Sequence, residues 1–161
     1  MYHEKMLAAA RQRFDSLEQE VFLNLWRTYD RLRAFEEELF AQFDLTPQQY
    51  NALRLLGAAR PAKLPTLELA GRLVSRAPDI TRLLDKLADR GLIERQRPQD
   101  NRRLVQVGIT EAGVNLLRKL QAPLKECHAR QLGHLSKRQM KELGALLKEA
   151  RRPHEDPDSP W

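Results

Sequence analysis

Residues 69–110 read LAGRLVSRAPDITRLLDKLADRGLIERQRPQDNRRLVQVGIT, and this stretch decides the fold. It contains two short helical patterns, a glycine stop and two strand-like runs joined by a polar turn. In the second helical pattern Ser75 is a good N-cap, and Pro78 falls in the first turn, where a missing N–H has no helical partner to lose. Gly91 suits a left-handed C-cap. We therefore expect a helix from about Arg76 to Arg90.

The predicted helix has two different faces. At about 100° per residue, one side carries four aliphatic residues: Ile80, Leu83, Leu84 and Leu87. The opposite side carries Ser75, Pro78, Arg82, Asp85, Lys86 and Asp89. Arg82 and Lys86 have long side chains that can donate hydrogen bonds to base edges or to phosphates. The helix is thus predicted to pack on one side and to present cations on the other.

A β-hairpin is predicted after the glycine stop. Alternating residues in the runs 92–97 and 104–109 have the two-residue period of half-buried strands. Residues 98–101 are mostly turn formers, and Arg102 and Arg103 follow at once. The hairpin therefore carries cations at its tip. Together the segments predict a mainly α fold with a small β-hairpin wing, a winged helix-turn-helix.

Here the chain resembles the multiple antibiotic resistance regulator (MarR) family of bacterial transcription factors. The matching residues are Thr81 and Arg82 in the predicted recognition helix, DRGLIER at 89–95 and DNRRLVQVGITEAG at 100–113, and the resemblance spans roughly residues 17–152. The family's wing pattern begins Asp-x-Arg. Asp100 with Arg102 fits this pattern, and Asn101 with Arg103 gives the more usual spacing to Thr110, so the arginine at the wing tip stays open.

The resemblance implies a homodimer that binds double-stranded DNA, with dimerisation helices at both ends of the chain. We expect an N-terminal helical dimerisation segment over residues 1–45, the DNA-binding domain over 46–110, C-terminal dimerisation helices over 111–152 and a disordered tail over 153–161. Residues 1–15 are rich in helix formers and predict a helical lead-in or a frayed arm. The long helix that follows carries an apolar stripe over about six turns, for which a second chain is the expected cover.

Capping residues predict where the other helices begin. The expected caps are Ser16 or Asp15 with Gln19 or Glu18, Thr46 with Gln49, Thr66, Thr110, and Ser136 with Gln139. The helix after Thr46 is expected to end near Gly57. In the helix after Thr110, Pro123 predicts a kink, because proline removes one backbone hydrogen bond.

Composition narrows the classes of function. The chain has 161 residues and a formal net charge of +6, and this charge is unevenly placed. Residues 72–103 hold nine basic and five acidic residues, whereas residues 16–43 hold three basic and six acidic. The basic segment can face a polyanion. The sequence shows no membrane-spanning apolar run and no secretory leader, and a single cysteine, Cys127, so we expect a cytoplasmic protein.

Candidate site residues fall into two groups. The predicted DNA contacts are Ser75, Arg76, Pro78, Arg82, Lys86, Arg102 and Arg103. The resemblance also implies that small aromatic or phenolic anions bind between the dimerisation helices and the DNA-binding lobe. Trp26, Tyr29 and Tyr50 are the candidates for such a pocket, and core or dimer packing is the alternative that a helical aromatic stripe favours.

Other chemistries find little support in the sequence. Cys127 lies late in a helix and is expected to be a buried, inert thiol rather than a redox switch. Cys127, His128 and His134 cannot share one zinc ion, because residues 127 and 134 lie about 10 Å apart along a helix. There is no phosphate-binding glycine loop, nucleophile elbow or acid-base pair, so we expect neither a cofactor nor an enzyme.

The sequence thus predicts a sequence-specific, ligand-responsive DNA-binding regulator, in the first instance a repressor, that binds a pseudo-palindromic operator as a homodimer. Two alternatives stay open: a winged-helix module that binds protein, and a ligand-insensitive architectural DNA binder.

Overall fold

The computed structural model describes residues 14–76 and 79–161, and it divides into two units between residues 35 and 36. The helices are α1 (Leu17–Ala41), α2 (Pro47–Ala59), α3 (Thr66–Arg72), α4 (Ile80–Asp89), α5 (Glu111–Leu132), α6 (Lys137–Arg151) and a 3₁₀ turn, Arg152–His154. The strands are β1 (Leu64–Pro65), β2 (Ile93–Gln96) and β3 (Gln106–Ile109). The predicted lead-in over residues 1–15 falls almost entirely outside the described residues.

The first unit contains most of α1. Ser16 begins the helix, since its hydroxyl accepts a hydrogen bond from the Gln19 backbone N–H at 3.0 Å. The Gln19 side chain accepts from the Asp15 backbone N–H at 2.7 Å, which completes a reciprocal cap close to the one expected. The large apolar side chains Val21, Phe22, Leu25, Trp26 and Tyr29 are exposed within the chain.

The second unit is a helical domain with a three-stranded antiparallel sheet, in the order β1-β3-β2. Ile93 pairs with Ile109 and Gln96 with Gln106, so β2 and β3 form the predicted hairpin. The largest fully buried side chains are Phe40, Leu53, Leu56, Leu69, Leu84, Leu87, Val107 and Leu120. These residues come from α1, α2, α3, α4, β3 and α5 and form one core, which confirms the winged helix-turn-helix prediction.

Side-chain caps begin several helices where the sequence predicts them. Thr46 with Gln49 and Ser136 with Gln139 form complete capping boxes. The Thr110 hydroxyl accepts from the Gly113 backbone N–H at 3.2 Å and donates to the Gly91 carbonyl at 2.6 Å. Thr110 therefore caps α5 and also holds the turn after α4. Gly91 has φ +67°, the left-handed conformation expected of its C-cap role.

The start of α4 differs from the prediction. The helix begins at Ile80 rather than near Arg76, and Ser75 is not its cap. The Asp79 carboxylate accepts from the Arg82 backbone N–H at 2.9 Å instead. Ala77 and Pro78 lie outside the described residues. The physical reason is in the sequence: proline disfavours the helical conformation of the residue before it, and Asp79, directly after the proline, is a good cap.

Two further helix boundaries differ slightly from the prediction. Thr66 is the first residue of α3 rather than its cap, and its hydroxyl donates to the Val105 carbonyl at 3.2 Å. Leu67 is 85% exposed and does not join the core, unlike Leu69. The α2 helix ends at Ala59, two residues after the expected end near Gly57, and Gly57 lets Leu117 of α5 pack closely against the helix.

In the C-terminal region, the helix that contains Pro123 continues past this proline. The α5 helix runs unbroken from Glu111 to Leu132, and the kink at Pro123 stays a prediction. The tail after α6 makes contacts with its own or neighbouring residues, and its disorder stays a prediction. The Arg151 guanidinium lies 5.9 Å from the centre of the Trp161 ring, and the Ser159 hydroxyl donates to Glu155.

Candidate nucleic-acid interface and adjacent cavity

The outer face of α4 carries the predicted cations. Leu84 and Leu87 are buried, whereas Arg82 and Lys86 are exposed, so the predicted division of the helix into two faces is confirmed. Asp85 also lies on α4, but its negative charge is compensated by an ion pair within the chain. Its carboxylate pairs with Arg95 of β2 at 2.7 Å. This ion pair also joins the helix to the wing.

The segment before α4 is anchored by α2. The Asn51 side chain, which is buried, accepts a hydrogen bond from the Val74 backbone N–H at 2.9 Å. Ser75 and Arg76 follow this anchor and are exposed. The predicted contact at Pro78 lies outside the described residues.

The wing tip is held by an asparagine turn. The Asn101 side chain accepts from the Arg103 backbone N–H at 3.2 Å, and the Asn101 carbonyl accepts from the Leu104 N–H at 3.1 Å. The Arg97 guanidinium donates to the Arg102 carbonyl at 3.1 Å. Both Arg102 and Arg103 are exposed.

Four of the predicted contacts share one property. Within residues 14–76 and 79–161, the side chains of Arg82, Lys86, Arg102 and Arg103 have no hydrogen-bond or ion-pair partner in the chain. Cations without internal partners are available to phosphates and base edges. The geometry of α4 and the wing therefore suits a DNA duplex.

The wing is braced from its other side by Lys63. The Lys63 ammonium lies 2.9 Å from the Glu94 carboxylate and 2.9 Å from the Gln96 side-chain oxygen. Arg90, at the end of α4, donates to the backbone carbonyls of Asp44 at 2.6 Å and of Phe43 at 3.1 Å. Sequence reasoning missed these positioning contacts, because each joins residues more than thirty positions apart.

A cavity of about 940 Å³ lies between α2 and α5. It is lined by Tyr50, Arg54, Gly57, Ala58, Arg60, Pro61, Val114, Leu117, Arg118, Gln121, Leu124, Lys125 and His128. Of these residues, only Tyr50 is a ligand contact predicted from the sequence. Arg118 and Lys125 carry a weak signal, since a spacing of seven places both on one side of α5.

Tyr50 is the aromatic anchor of this cavity. Its ring stacks on Phe40 with centroids 4.7 Å apart. Burial raises the pKa of the Tyr50 hydroxyl, although the nearby Arg54 opposes the shift. The phenol therefore stays protonated at neutral pH and can act as a hydrogen-bond donor.

The other two aromatic candidates belong to the first unit. Trp26 is 63% and Tyr29 is 60% exposed, so neither is a core residue of the isolated chain. The Phe22 and Trp26 rings lie 6.3 Å apart. Packing against a second chain and ligand binding both remain open for these residues.

Cys127 is buried, and burial is also the main cause that raises the pKa of its thiol. A buried thiol with a raised pKa is mostly protonated at neutral pH, and the structural role of Cys127 stays a prediction. Among the described residues, no cluster of three or more His, Cys, Asp or Glu side chains is arranged to hold a metal ion. No helix in the described part of the chain is long and apolar enough to cross a membrane.

The fold defines a class: a winged helix-turn-helix protein, with exposed cations on α4 and on the wing. The MarR family model matches residues 45–105. A MarR transcription factor from Planctomyces limnophilus, known as a crystal structure, is 55% identical. The similarity covers 84% of this chain and 98% of that one, with a TM-score of 0.68. The chain belongs to the MarR family of transcriptional regulators.

More distant relatives agree with this assignment. The HTH-type transcriptional repressor IacR of Pseudomonas putida is 23% identical over 83% of this chain and 80% of its own length. A Staphylococcus aureus MepR–DNA complex shares the fold at 22% identity, with a TM-score of 0.72 over 82% of this chain and 97% of that one.

Proposed function

We propose that the chain is a homodimeric, sequence-specific repressor that binds a pseudo-palindromic operator in double-stranded DNA. The α4 helix enters the major groove with Arg82 and Lys86 toward the bases and phosphates. The wing lays Arg102 or Arg103 along the adjacent minor groove. The observation that carries this proposal is the set of unpartnered, exposed cations on α4 and the wing, opposite a packed core.

A second copy of the chain explains the exposed apolar side chains at both ends. On α1 these include Phe22 and Trp26, which are 62% and 63% exposed. On α6 they include Leu143 and Leu146, which are 38% and 68% exposed. A two-fold dimer presents two recognition helices, and half-sites then lie about 10 base pairs apart.

The regulatory input is an aromatic or phenolic anion bound in the cavity between α2 and α5. Tyr50 supplies an aromatic wall and a hydroxyl donor, and the cations of the lining supply charge. A ligand that binds one spacing of the recognition helices more tightly shifts the population toward it, and release of DNA follows.

The proposal is tested by selecting bound duplexes from a random pool and measuring affinity by fluorescence anisotropy. Wild-type protein should prefer the selected duplex over random duplex. Its affinity should fall with salt, with a log–log slope near −0.9 per phosphate contact. Arg82→Ala should weaken binding to the selected duplex by about 10-fold or more, a change of about 1.4 kcal/mol.

A matched control is Arg138→Ala, which removes an 88% exposed arginine from α6. This variant should retain the preference for the selected duplex. If Arg82→Ala weakens binding to the selected duplex and to random duplex equally, Arg82 contacts phosphates rather than bases. Binding without sequence preference would indicate an architectural DNA binder, and absence of DNA binding at low salt would indicate a protein-interaction module.

A further inference from the structure

The charge of the cavity between α2 and α5 is strongly one-sided. Four permanent cations line it: Arg54, Arg60, Arg118 and Lys125. No aspartate or glutamate is among the lining residues. All four cations are exposed, and like charges gathered around one concave surface attract an anion. A ligand with a single carboxylate compensates only a part of this charge.

The cations are divided between the two ends of the cavity. At one end Arg60 and Arg118 lie 2.7 Å and 3.8 Å from the carboxylate of Glu111. Lys125 follows Arg118 by seven residues on α5, so its Cα lies about 10 Å farther along the helix axis. The second cationic end is therefore separated from the first by about two helical turns.

The second end contains the aromatic anchor. Arg54 follows Tyr50 by four residues on α2, so both side chains lie on the same face of the helix and line the cavity. His128 also lines the cavity, and its imidazole lies 3.4 Å from the Glu36 carboxylate. Arg54 and Lys125 have no hydrogen-bond or ion-pair partner among the described residues.

Much of the remaining lining is apolar. Gly57, Ala58, Val114, Leu117 and Leu124 supply this part of the lining. Gly57 and Leu117 are in close contact, because a Cβ added to Gly57 would lie 2.8 Å from the Leu117 side chain. The volume of about 940 Å³ is near the upper end of the range of about 300–1,000 Å³ for ligand sites. A single-ring acid leaves most of it empty.

From this charge distribution we propose that the effector is an elongated dianion, with an apolar or aromatic middle and an acidic group at each end. One acidic group binds Arg60 and Arg118, and the other binds Arg54 and Lys125. This inference rests on the proposed function, since it names the ligand class of the proposed regulatory site.

Glu111 acts as an internal competitor for one end of this ligand. Its carboxylate already accepts a hydrogen bond from Arg60. Arg60 follows α2, and Glu111 is the first residue of α5, directly after β3 and the capping Thr110. A ligand acid that takes over Arg60 frees Glu111 and thereby loosens a link between α2 and the base of the wing.

The test compares matched acids by isothermal titration calorimetry on the full chain. The probes are a biphenyl dicarboxylate with its carboxylates at the two far ends, the biphenyl carboxylate that lacks one of them, and the single-ring terephthalate. The biphenyl dicarboxylate should bind about 10-fold tighter than the monocarboxylate, as expected for one additional charge-assisted contact. Terephthalate, which is too short to span both ends, should gain no such advantage over benzoate.

Substitutions of lining residues test which cations bind each acidic end of the ligand. Arg118→Gln and Lys125→Gln should each reduce the preference for the dicarboxylate to less than about 3-fold, since each removes one partner of a charge-assisted contact. Lys119→Gln removes an exposed lysine of α5 outside the cavity and should leave it unchanged. Glu111→Gln should tighten dicarboxylate binding, because the internal competitor is lost.

Equal affinities for the dicarboxylate and the monocarboxylate, or binding of neither, would overturn the inference. Retention of the full preference in both Arg118→Gln and Lys125→Gln would overturn it as well. Anisotropy with the selected duplex on the same samples separates the two proposals. DNA binding without dianion binding refutes the ligand class alone, whereas loss of both refutes the proposed function.

Discussion

At the scale of single residues, the wing tip depends on the side chain of Asn101. This side chain accepts from the Arg103 backbone N–H, so the backbone of Arg103 is fixed before any DNA is bound. Within residues 14–76 and 79–161, Arg102 is held only through its carbonyl, to which Arg97 donates. Pre-organisation lowers the entropy lost on binding. Arg103 is therefore the better placed of the two arginines to enter a minor groove.

We predict that Arg103→Ala weakens operator binding by about 10-fold, equivalent to about 1.4 kcal/mol. Arg102→Ala, the matched neighbour, should weaken it by less than about 3-fold, the effect of one exposed phosphate contact. Both variants are measured by anisotropy on the selected duplex at constant salt. A larger loss in Arg102→Ala would assign the tip to Asp100 and Arg102 instead.

The packing around Gly113 leaves no room for a side chain. An added Cβ would lie 2.4 Å from the Leu92 carbonyl oxygen and 2.6 Å from the Ile109 side chain. Backbone cannot move aside cheaply, so Gly113→Ala should lower the free energy of unfolding by about 2–3 kcal/mol. Gly71→Ala, where an added Cβ meets nothing within 4 Å, should change it by less than 1 kcal/mol, in the stabilising direction.

Thermal denaturation at fixed protein concentration measures both glycine variants. Each 1 kcal/mol corresponds to a change of about 2–4 °C in Tm for a chain of this size. Equal melting temperatures for the two variants would show that the contact between the start of α5 and the turn after α4 is not rigid.

At the scale of elements, the recognition helix α4 is shorter than its sequence pattern indicates. The pattern of apolar residues predicts its core face correctly, because periodicity is a local property of the chain. The first residue is harder to predict, since Ser75 and Asp79 are both good caps, and a proline suits the first turn of a helix but also disfavours the helical conformation of the residue before it. Asp79 is the cap in the structure.

A pair of alanine variants tests this assignment. Asp79→Ala should lower the free energy of unfolding by about 1 kcal/mol, because the Arg82 backbone N–H loses its acceptor. Asp79→Asn should retain most of that stability. Ser75→Ala should have an effect below about 0.5 kcal/mol, as is usual for an exposed residue without a capping role. Chemical denaturation without DNA measures all three, and a larger effect of Ser75→Ala would restore the longer helix.

Other elements are predicted correctly from the sequence where the pattern that predicts them lies within a few neighbouring residues. The capping boxes at Thr46 and Ser136 and the left-handed Gly91 are short-range patterns, and the structure contains all three. The ion pair of Asp85 with Arg95, the anchor at Asn51 and the cationic cavity depend on contacts between distant segments. A single sequence carries no signal for such contacts, so most of the cavity lining was not predictable.

At the scale of the whole molecule, the proposed function requires two copies of the chain. Exposed apolar side chains on α1 and α6 are the surfaces available for this contact. A charged side chain placed among them either loses its hydration in the interface, which costs free energy, or prevents the two chains from associating. Trp26→Glu and Leu146→Glu should therefore each shift the protein toward a monomer. A matched control is Leu67→Glu, which replaces an 85% exposed leucine of α3 and should leave the dimer intact without DNA.

Sedimentation velocity at micromolar concentration, followed by anisotropy on the same samples, measures both consequences. When one dimer binds two half-sites, the second half-site is bound without a further cost of association. A monomer lacks this advantage, so it should lose operator affinity by at least about 100-fold. Its binding to random duplex should fall much less, because non-specific binding depends on the charges of a single wing and helix. A variant that sediments as a monomer and still binds the operator with full affinity would show that each chain reads its half-site independently, and the two-fold arrangement proposed for this regulator would be wrong.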